Sequence, residues 1–241
     1  MQLTVLGGCG GWPAAGSACS GYLVRHDGCT ILIDPGYAVL PRLLRLVPAS
    51  AVDAVLVSHG HPDHCADLNP LLRARALSGD PAAALAVYAP PGALDAVLAL
   101  DRPGMLDDAI APHPFDPGSR FEVGPFDIRS WLLPHWLPNA GLRLEAGGEV
   151  LAYTGDSGPH PDLVPLAAGA DVFLAEATFP RLVPADSARY LSSALQAGQV
   201  AARAGVKHLT LTHLWPGTPA AAALDAARAA YDGAVDIATP A

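Results

Sequence analysis

The stretch Val55-Leu56-Val57-Ser58-His59-Gly60-His61-Pro62-Asp63-His64 places three histidines and an aspartate within six residues, directly after a short apolar run. The chain of 241 residues contains only nine histidines, so this cluster is a strong departure from chance. Imidazole and carboxylate groups are good ligands for zinc and related divalent metals. The stretch therefore predicts part of a metal site that follows a buried strand.

Three further candidate ligands also follow apolar runs that are typical of strands. His135 follows residues 126–133, Asp156 follows residues 149–154, and His213 follows residues 207–212. Ligands at strand ends are held by a rigid scaffold, as a metal site requires. Seven candidates exceed what one tetrahedral metal needs, but they suit two metals that share a bridging carboxylate. The seven are His59, His61, Asp63, His64, His135, Asp156 and His213.

The order of the other elements predicts one domain over residues 1–241. Strands come first, βα units follow, and the same order then recurs coarsely, which is typical of an α/β (α+β) fold with two mixed sheets and outer helices. We expect a hairpin at Asp27-Gly28, a surface loop over 101–119 and a helix over 187–204. The glycine-rich loop at residues 7–11 fits neither the G-x-G-x-x-G motif nor a P-loop, so its glycines are expected to bring backbone close to a site or to allow a tight bend.

Composition limits the classes of partner. Apolar residues make up 51% of the chain and the formal net charge is −9, which disfavours nucleic acid because that needs a basic surface. Four cysteines without a C-x-x-C pair indicate free thiols in a reducing compartment. No apolar stretch reaches the roughly 18 residues of a membrane span. We therefore expect a cytoplasmic protein with a small-molecule substrate and no membrane contact.

The complete ligand pattern resembles that of the metallo-β-lactamase fold superfamily, and the resemblance covers nearly the whole chain. It implies a four-layer αβ/βα sandwich with two divalent metal ions at one edge of the sheets. Zn²⁺ is the expected metal, with Mn²⁺ or Fe²⁺ as alternatives. By resemblance, the first metal is bound by His59, His61 and His135, the second by Asp63, His64 and His213, and Asp156 bridges them.

Within the superfamily, the chain is most similar to the branch of ribonuclease Z and the small cyclic phosphodiesterases. The matching stretches are Leu6-Gly7-Gly8, Ile31-Leu32-Ile33-Asp34-Pro35-Gly36, Thr154-Gly155-Asp156-Ser157, Glu176-Ala177-Thr178-Phe179 and Leu211-Thr212-His213-Leu214. Ribonuclease Z carries a histidine shortly after its Glu-Ala-Thr segment that assists departure of the leaving group, and Tyr190 stands in the equivalent place here. The chain also lacks a basic arm for tRNA. The resemblance thus implies a phosphodiesterase for small or cyclic substrates.

Other activities of the superfamily are partly excluded. Redox di-iron members carry glutamate where His61 stands, and many true β-lactamases carry cysteine where Asp156 stands. Thioesterases of the glyoxalase II type add a helical C-terminal region for which this length leaves no room. A metal-dependent lactone, thioester or amide hydrolase stays open, as does a metal-binding regulatory module without turnover. A homodimer is a further option, since relatives are often dimers.

Several residues near the ligands have candidate roles. Asp63 is a ligand that can also accept a proton from the attacking water. Asp34 and Glu176 are expected to orient ligand histidines through their free N–H groups, or to serve as structural hydrogen-bond partners. Tyr190 either donates a proton to the leaving group or packs.

Five further side chains follow a ligand or the glycine-rich loop in sequence. His160 is expected in a surface loop, with contact to substrate as the alternative, and Cys65 is expected to be a buried thiol rather than a third metal ligand. Trp12, Trp136 and Trp215 are expected to line an apolar pocket or to serve the core.

Overall fold

The fold is a sandwich of two mixed β-sheets with helices on both outer faces. A computed structural model describes residues 1–79 and 82–240, so residues 80, 81 and 241 of the predicted domain lie outside the described residues. The first sheet has the strand order β1-β2-β3-β4-β5-β6, and the second has the order β13-β12-β11-β10-β9-β8-β7. The four-layer α/β architecture that the resemblance implied is therefore confirmed.

The strands of the first sheet are β1 Gln2–Gly7, β2 Gly21–His26, β3 Cys29–Ile33, β4 Ala54–Leu56, β5 Leu85–Ala89 and β6 Ile110–Pro114. Those of the second sheet are β7 Arg120–Val123, β8 Phe126–Leu133, β9 Asn139–Ala146, β10 Glu149–Tyr153, β11 Val172–Glu176, β12 His208–Thr212 and β13 Ala234–Ile237. The helices are α1 Leu40–Leu43, α2 Pro62–Cys65, α3 Leu68–Leu77, α4 Asp95–Leu98, α5 Leu163–Ala167, α6 Ala194–Ala204 and α7 Ala220–Arg228.

Three apolar clusters hold the layers together. The middle cluster lies between the sheets and takes residues from both, among them Ile33, Leu56, Leu142 and Tyr153. A second cluster packs α1, α3 and α4 on the outer face of the first sheet, and the third packs α5, α6 and α7 on the outer face of the second. Burial of apolar surface on both faces of each sheet fixes the strand register. The strand ends that carry the candidate ligands are therefore rigid.

The predicted hairpin between β2 and β3 is confirmed. Asp27 and Gly28 both have positive φ, 45° and 79°, as a two-residue turn of type I′ requires. The cross-strand register pairs His26 with Cys29 on either side of this turn.

The predicted surface loop over 101–119 is wrong in part. Residues Ile110–Pro114 form β6, which pairs in parallel with β5 at the edge of the first sheet. Pro112 and Pro114 lack the backbone N–H of a ladder donor and signal a loop in sequence, but an edge strand tolerates proline because one side has no neighbour. Only the tertiary position of the segment separates these two readings.

The predicted helix over 187–204 begins later, at Ala194. Ser193 is its N-cap, and Ser193 and Gln196 form a reciprocal capping box in which each side chain accepts the other's backbone N–H. Residues 187–193 instead lead into a bridge between Phe179 and Ser193. The end at Ala204 was placed correctly, because Gly205 takes the left-handed C-cap conformation. Within the described residues, none of the helices has the length and apolar character that crossing a membrane requires.

Helices α6 and α7 approach closely at Gly198. A Cβ atom at this position would lie 2.5 Å from the backbone oxygen of Ala227. The absence of a side chain is therefore what allows the two helices to pack in contact over the second sheet.

We predict that Gly198→Ala lowers the free energy of unfolding, by about 1–3 kcal/mol, because the added methyl group overpacks the contact with α7. Helix propensity alone predicts the opposite sign, a gain of about 1 kcal/mol. Ala202→Gly, on the exposed face of the same helix, is the matched control and is expected to cost about 1 kcal/mol through propensity alone. Urea unfolding followed by circular dichroism measures both. A stabilised Gly198→Ala variant would contradict the close helix contact.

Candidate metal centre

The segment after β4 carries four of the candidate ligands on a tight turn and a short helix. Pro62 occupies the first turn of α2, where its missing N–H costs nothing, and Asp63 and His64 follow it on that helix. Gly60 passes close to the next βα connection, since a Cβ there would lie 2.8 Å from the Ala93 oxygen. The turn therefore points His59, His61, Asp63 and His64 into one small volume.

The other three ligands arrive from the ends of β8, β10 and β12. Gly155, with φ 59°, precedes Asp156, and a Cβ at Gly155 would clash with the Asn139 side chain and crowd Ser58. His213 itself has φ 57°, a left-handed conformation that is uncommon outside glycine. Such local strain persists where the surrounding structure fixes it, here against the carboxylates of the site.

The structure brings all seven predicted residues together in two groups that share Asp156. The first ligand group is His59, His61, His135 and Asp156, and the second ligand group is Asp63, His64, Asp156 and His213. In each group the candidate ligand atoms lie within 4.8 Å of one another. This is the arrangement that the resemblance implied for two metals and one shared carboxylate.

Ligand atoms of the first group surround a common centre. His61 Nδ1 lies 3.0 Å from His59 Nε2 and 3.0 Å from His135 Nε2. Asp156 Oδ2 lies 3.9 Å from His59 Nε2 and 3.8 Å from His135 Nε2. Separations of this size are those of neighbouring ligands on one ion with bonds of about 2.0–2.2 Å.

The second group has the same spacing. His64 Nε2 lies 3.2 Å from Asp156 Oδ1, and His213 Nε2 lies 3.1 Å from Asp156 Oδ2. Asp63 Oδ2 lies 3.2 Å from His213 Nε2 and 3.6 Å from His64 Nε2. The two oxygens of Asp156 therefore face both groups.

The donor set fits divalent cations on two independent counts. First, His64 Nε2 and Asp156 Oδ1, which lie 3.2 Å apart, are fully buried and form no hydrogen bond with any of the described residues, so both are oriented for another kind of partner. Second, four carboxylates are buried at one place, and none of the described Lys or Arg side chains lies within salt-bridge distance of them: Asp34, Asp63, Asp156 and Glu176. Buried negative charge of this kind requires compensation.

The electrostatics of the bare side chains point the same way. Burial lowers the pKa of His64, but Asp156 and Asp63 outweigh that effect and hold it well above its usual value. Burial opposes ionisation of Asp156 too, yet His213 and His64 hold its pKa well below the usual range. Burial dominates at His59, whose pKa lies well below normal. The cluster thus attracts positive charge to its carboxylates and keeps His59 neutral, the form that binds metal.

Asp34 orients two ligand histidines, one directly and one through a hydroxyl group. Its Oδ2 accepts a hydrogen bond from His64 Nδ1 at 2.7 Å, and also from the Ser58 hydroxyl at 2.6 Å and the Tyr153 hydroxyl at 2.7 Å. Because Ser58 Oγ donates to Asp34, the network assigns it as the acceptor from His59 Nδ1 at 3.1 Å. Both histidines then present Nε2 to the ligand cluster, as predicted for a carboxylate outside the ligand set.

Glu176 acts on a ligand histidine only through Thr178, which corrects the expectation of a direct contact. Its carboxylate accepts hydrogen bonds from three donors, the Ser157 N–H, the Ser192 N–H and the Thr178 hydroxyl. Since Thr178 Oγ1 donates to Glu176, it accepts from His213 Nδ1 at 2.9 Å. Burial, followed by the charge on Asp156, raises the pKa of Glu176 to about 8. Positive charge at the ligand cluster would favour its ionised form.

Tyr190 touches the site through its main chain. Its carbonyl oxygen accepts a hydrogen bond from His135 Nδ1 at 3.0 Å. Its ring packs on Trp136, with the centroids 4.9 Å apart. The side chain is half-buried, and its hydroxyl makes no hydrogen bond to any of the described residues. The phenol is thus available for another partner.

The glycine-rich loop reaches the site as predicted. The Gly11 N–H donates to Asp63 Oδ2 at 2.7 Å. A Cβ at Gly10 would lie 2.6 Å from His213 Nδ1, so only glycine fits there. Cys65 is buried, and its thiol donates a hydrogen bond to the His61 carbonyl oxygen, which agrees with a structural thiol.

The three tryptophans beside the ligands lie at the surface and not in the core. Trp12 is 49% exposed, Trp136 is 51% exposed and Trp215 is 39% exposed. Trp12 and Trp215 pack against each other next to the glycine loop, with ring centroids 5.8 Å apart. Trp136 lies against His135, with ring centroids 5.0 Å apart. His160 is half-buried and borders two clefts.

Sequence reasoning gave no role to four side chains that support the ligands. The hydroxyl groups of Ser58 and Thr178 each connect a carboxylate to a histidine by hydrogen bonds. The Tyr153 hydroxyl donates to Asp34, and the Asn139 side chain accepts the N–H of Asp156. All four are buried. Only Ser58 and Thr178 could have been found from the sequence, since Ser58 directly precedes the ligand His59 and Thr178 lies two residues after the buried Glu176. Tyr153 lies on β10 and Asn139 on β9, and each meets its hydrogen-bond partner only in the folded chain.

Comparison with known proteins gives a consistent family. The family model described as "Beta-lactamase superfamily domain" matches residues 29–214. A protein named probable metallo-hydrolase YhfI from Bacillus subtilis is 35% identical over 217 residues, covering 89% of this chain and 87% of the relative. Its metallo-β-lactamase fold crystal structure superposes with a TM-score of 0.89 at 31% identity, covering 99% of this chain and 96% of the other.

A further relative is a ribonuclease Z from Mycobacterium marinum. It is 32% identical over 248 residues, covering 90% of this chain and 87% of the relative. The similarity therefore extends over nearly the full length of both proteins.

We predict that Thr178→Val weakens metal binding about 10- to 100-fold, because His213 Nδ1 loses its acceptor and Glu176 loses a donor. Thr178→Ser keeps the hydroxyl and is the matched control, with affinity close to that of the unchanged protein. Titration with Zn²⁺ against a competing chelator measures the affinity, and thermal unfolding of the metal-free proteins separates loss of fold from loss of binding. Equal metal affinities for the Val and Ser variants would show that the Thr178 hydroxyl does not support the ligand His213.

Proposed function

Because the chain belongs to the metallo-β-lactamase superfamily, we propose that it is a dinuclear metal-dependent phosphodiesterase that acts on a small or cyclic phosphodiester. The chain is a metal-dependent hydrolase by family, and the proposal concerns the number of metals and the bond. The observation that carries it is Asp156, whose carboxylate is shared by two four-residue ligand groups. A structural zinc site is closed by four ligands and has no such shared carboxylate.

The seven residues would hold two divalent ions, for which Zn²⁺ is the first candidate and Mn²⁺ or Fe²⁺ are alternatives. His59, His61 and His135 would bind one ion, Asp63, His64 and His213 the other, and Asp156 both. Bound divalent ions supply Lewis acidity and lower the pKa of a bound water to about 7.

The chain's own residues would perform the remaining steps. Asp63, held in place by the Gly11 N–H and near His213, would accept the proton of the attacking water. Tyr190, with a free hydroxyl, would give a proton to the leaving group. Glu176 would act as a positioning residue, because it reaches His213 only through Thr178.

One observation supports a phosphodiester substrate, and a second disfavours RNA. The relative from M. marinum is by its name a ribonuclease, an enzyme that cleaves phosphodiester bonds. The net charge of −9 and the absence of a basic arm disfavour a long polyanion. The alternative is a lactone, thioester or amide hydrolase with the same ligands. A homodimer and a cytoplasmic location also stay predictions, the second supported by four free cysteines.

Purified protein is expected to contain about two equivalents of divalent metal, in line with two ligand groups and one bridging carboxylate. Asp156→Ala removes an oxygen ligand from both groups, and we predict that it loses metal and hydrolytic activity together. Inductively coupled plasma mass spectrometry gives the metal content. Asp162→Ala, at a partly exposed aspartate outside both groups, is the control and should keep both ions. Full activity of Asp156→Ala would remove the bridging role.

A substrate panel tests the bond that is cleaved. We predict turnover of a bis-aryl phosphate and of a cyclic phosphodiester, with an aryl lactone and a thioester hydrolysed slowly or not at all. Tyr190→Phe keeps the carbonyl that binds His135, so it tests the hydroxyl alone. The variant should lose about 100-fold in kcat with an alcohol leaving group, and should be nearly unchanged with p-nitrophenol, which departs without a proton.

The outcomes of the panel separate the alternatives. Activity confined to carboxylic esters, lactones or thioesters would contradict the phosphodiesterase proposal and favour the alternative, a lactone, thioester or amide hydrolase. An equal loss for both leaving groups in Tyr190→Phe would assign the hydroxyl a structural role.

A further inference from the structure

A cleft of about 780 Å³ opens beside the first ligand group, and the ligand His135 is part of its wall. The rest of the wall is largely apolar, with Leu132, Trp136 and Leu137 joined by four prolines. These three side chains are 56%, 51% and 39% exposed. Large apolar side chains that cluster at the surface next to a site indicate a place where a ligand is bound.

The charge of the cleft restricts what it can bind. Its ionisable lining residues among the described part of the chain are Asp116, His135 and His160, with no Lys or Arg. A phosphate, carboxylate or other anionic group would find no fixed cation there. The lining therefore disfavours an anionic group, and its large apolar side chains favour an uncharged, apolar one.

Trp136 determines the shape of that group. Its ring is edge-on to His135 at 5.0 Å, with an interplanar angle of 70°, and it packs on Tyr190 at 4.9 Å. These contacts hold the indole in place while about half of its surface stays exposed. A fixed, exposed indole face next to a reaction centre binds planar rings by stacking.

His61 is the more accessible ligand of the first group. It is half-buried, whereas the side chains of His59, His64 and His135 are buried. His61 Nδ1 lies 3.0 Å from His135 Nε2, so the accessible ligand adjoins the residue that lines the cleft.

We propose that this cleft is a subsite for a planar, uncharged aromatic group of the substrate, with Trp136 as its specificity-determining residue. The inference deepens the proposed function and rests on it for the reacting phosphoryl group. The substrate class is thus an aryl or heteroaryl phosphoester, whose phosphoryl group lies at the ligand cluster and whose ring lies on Trp136.

Three phosphonates test the subsite without turnover. Phenylphosphonate, cyclohexylphosphonate and methylphosphonate share the anionic head and differ only in the organic group. Isothermal titration calorimetry on metal-loaded protein should give the order phenyl, cyclohexyl, methyl, with phenyl about tenfold tighter than cyclohexyl because only a planar ring stacks. Equal affinities for phenyl and cyclohexyl would overturn the planar subsite.

Variants locate the ring. Trp136→Ala should lower phenylphosphonate affinity about tenfold and leave methylphosphonate affinity unchanged, whereas Trp136→Phe should retain most of the preference. Leu100→Ala, an exposed leucine away from the cleft, should change nothing. If Trp12→Ala removes the preference for phenylphosphonate and Trp136→Ala does not, the ring binds near Trp12 and the proposal is wrong.

A second variant keeps the test decisive if Trp136→Ala disturbs His135 and loses metal. Leu132→Lys introduces a cation into the cleft at an exposed strand position. It should reverse the preference between phenylphosphonate and its 4-carboxyphenyl analogue, and metal content should be unchanged. An unchanged preference would overturn the subsite.

The result is independent of which bond the protein cleaves. Phenylphosphonate that binds through Trp136 in a protein that hydrolyses only lactones would keep the subsite and remove the phosphodiesterase proposal. Turnover of phosphodiesters with no difference among the phosphonates would do the reverse.

Discussion

Buried negative charge is the constraint on which the rest of this structure depends. Asp34, Asp63, Asp156 and Glu176 are nearly inaccessible to solvent and lie at one edge of the two sheets. Five histidines are the basic groups that surround them, and one histidine nitrogen and one carboxylate oxygen have no hydrogen-bond partner. Burial of ions without compensation costs far more than a fold of this size can supply. We therefore expect cation binding to stabilise the folded state of this protein.

Two of the acids do not face the shared centre of the ligand groups but fix the histidines that do. Asp34 collects donors from the end of β4, from α2 and from β10, and so joins both sheets at one carboxylate. Glu176 collects donors from the Asp156 loop and from the segment before α6. Each acid reaches a histidine through a hydroxyl group, by way of Ser58 or Thr178. Such relays fix the ring orientation and the tautomer that presents Nε2.

The centre and its rim have different roles. The ligand groups favour hydrolysis assisted by divalent metal and say little about the substrate. Discrimination between substrates depends on the surface around the centre, where three tryptophans stay exposed next to ligand residues. A polar centre with an apolar rim binds a substrate that has an anionic reacting group and an uncharged ring.

The sequence by itself predicted the ligand cluster. His59 to His64, His135, Asp156 and His213 each follow an apolar run, and strand ends that meet at one sheet edge bring such residues together. The β2–β3 hairpin and the end of α6 were equally readable, because Asp27, Gly28 and Gly205 express local backbone requirements.

Tertiary structure decided what depends on neighbours distant in sequence. It made Ile110–Pro114 an edge strand in spite of its prolines, and it began α6 at Ala194, after the N-cap Ser193. It also placed Thr178 between Glu176 and His213. It left Trp136 exposed over a cleft, whereas the sequence allowed either an apolar pocket or the core for this side chain. Local patterns encode backbone conformation and ligand type. Hydrogen-bond relays and surface exposure arise only when separate segments pack, so no local pattern carries them.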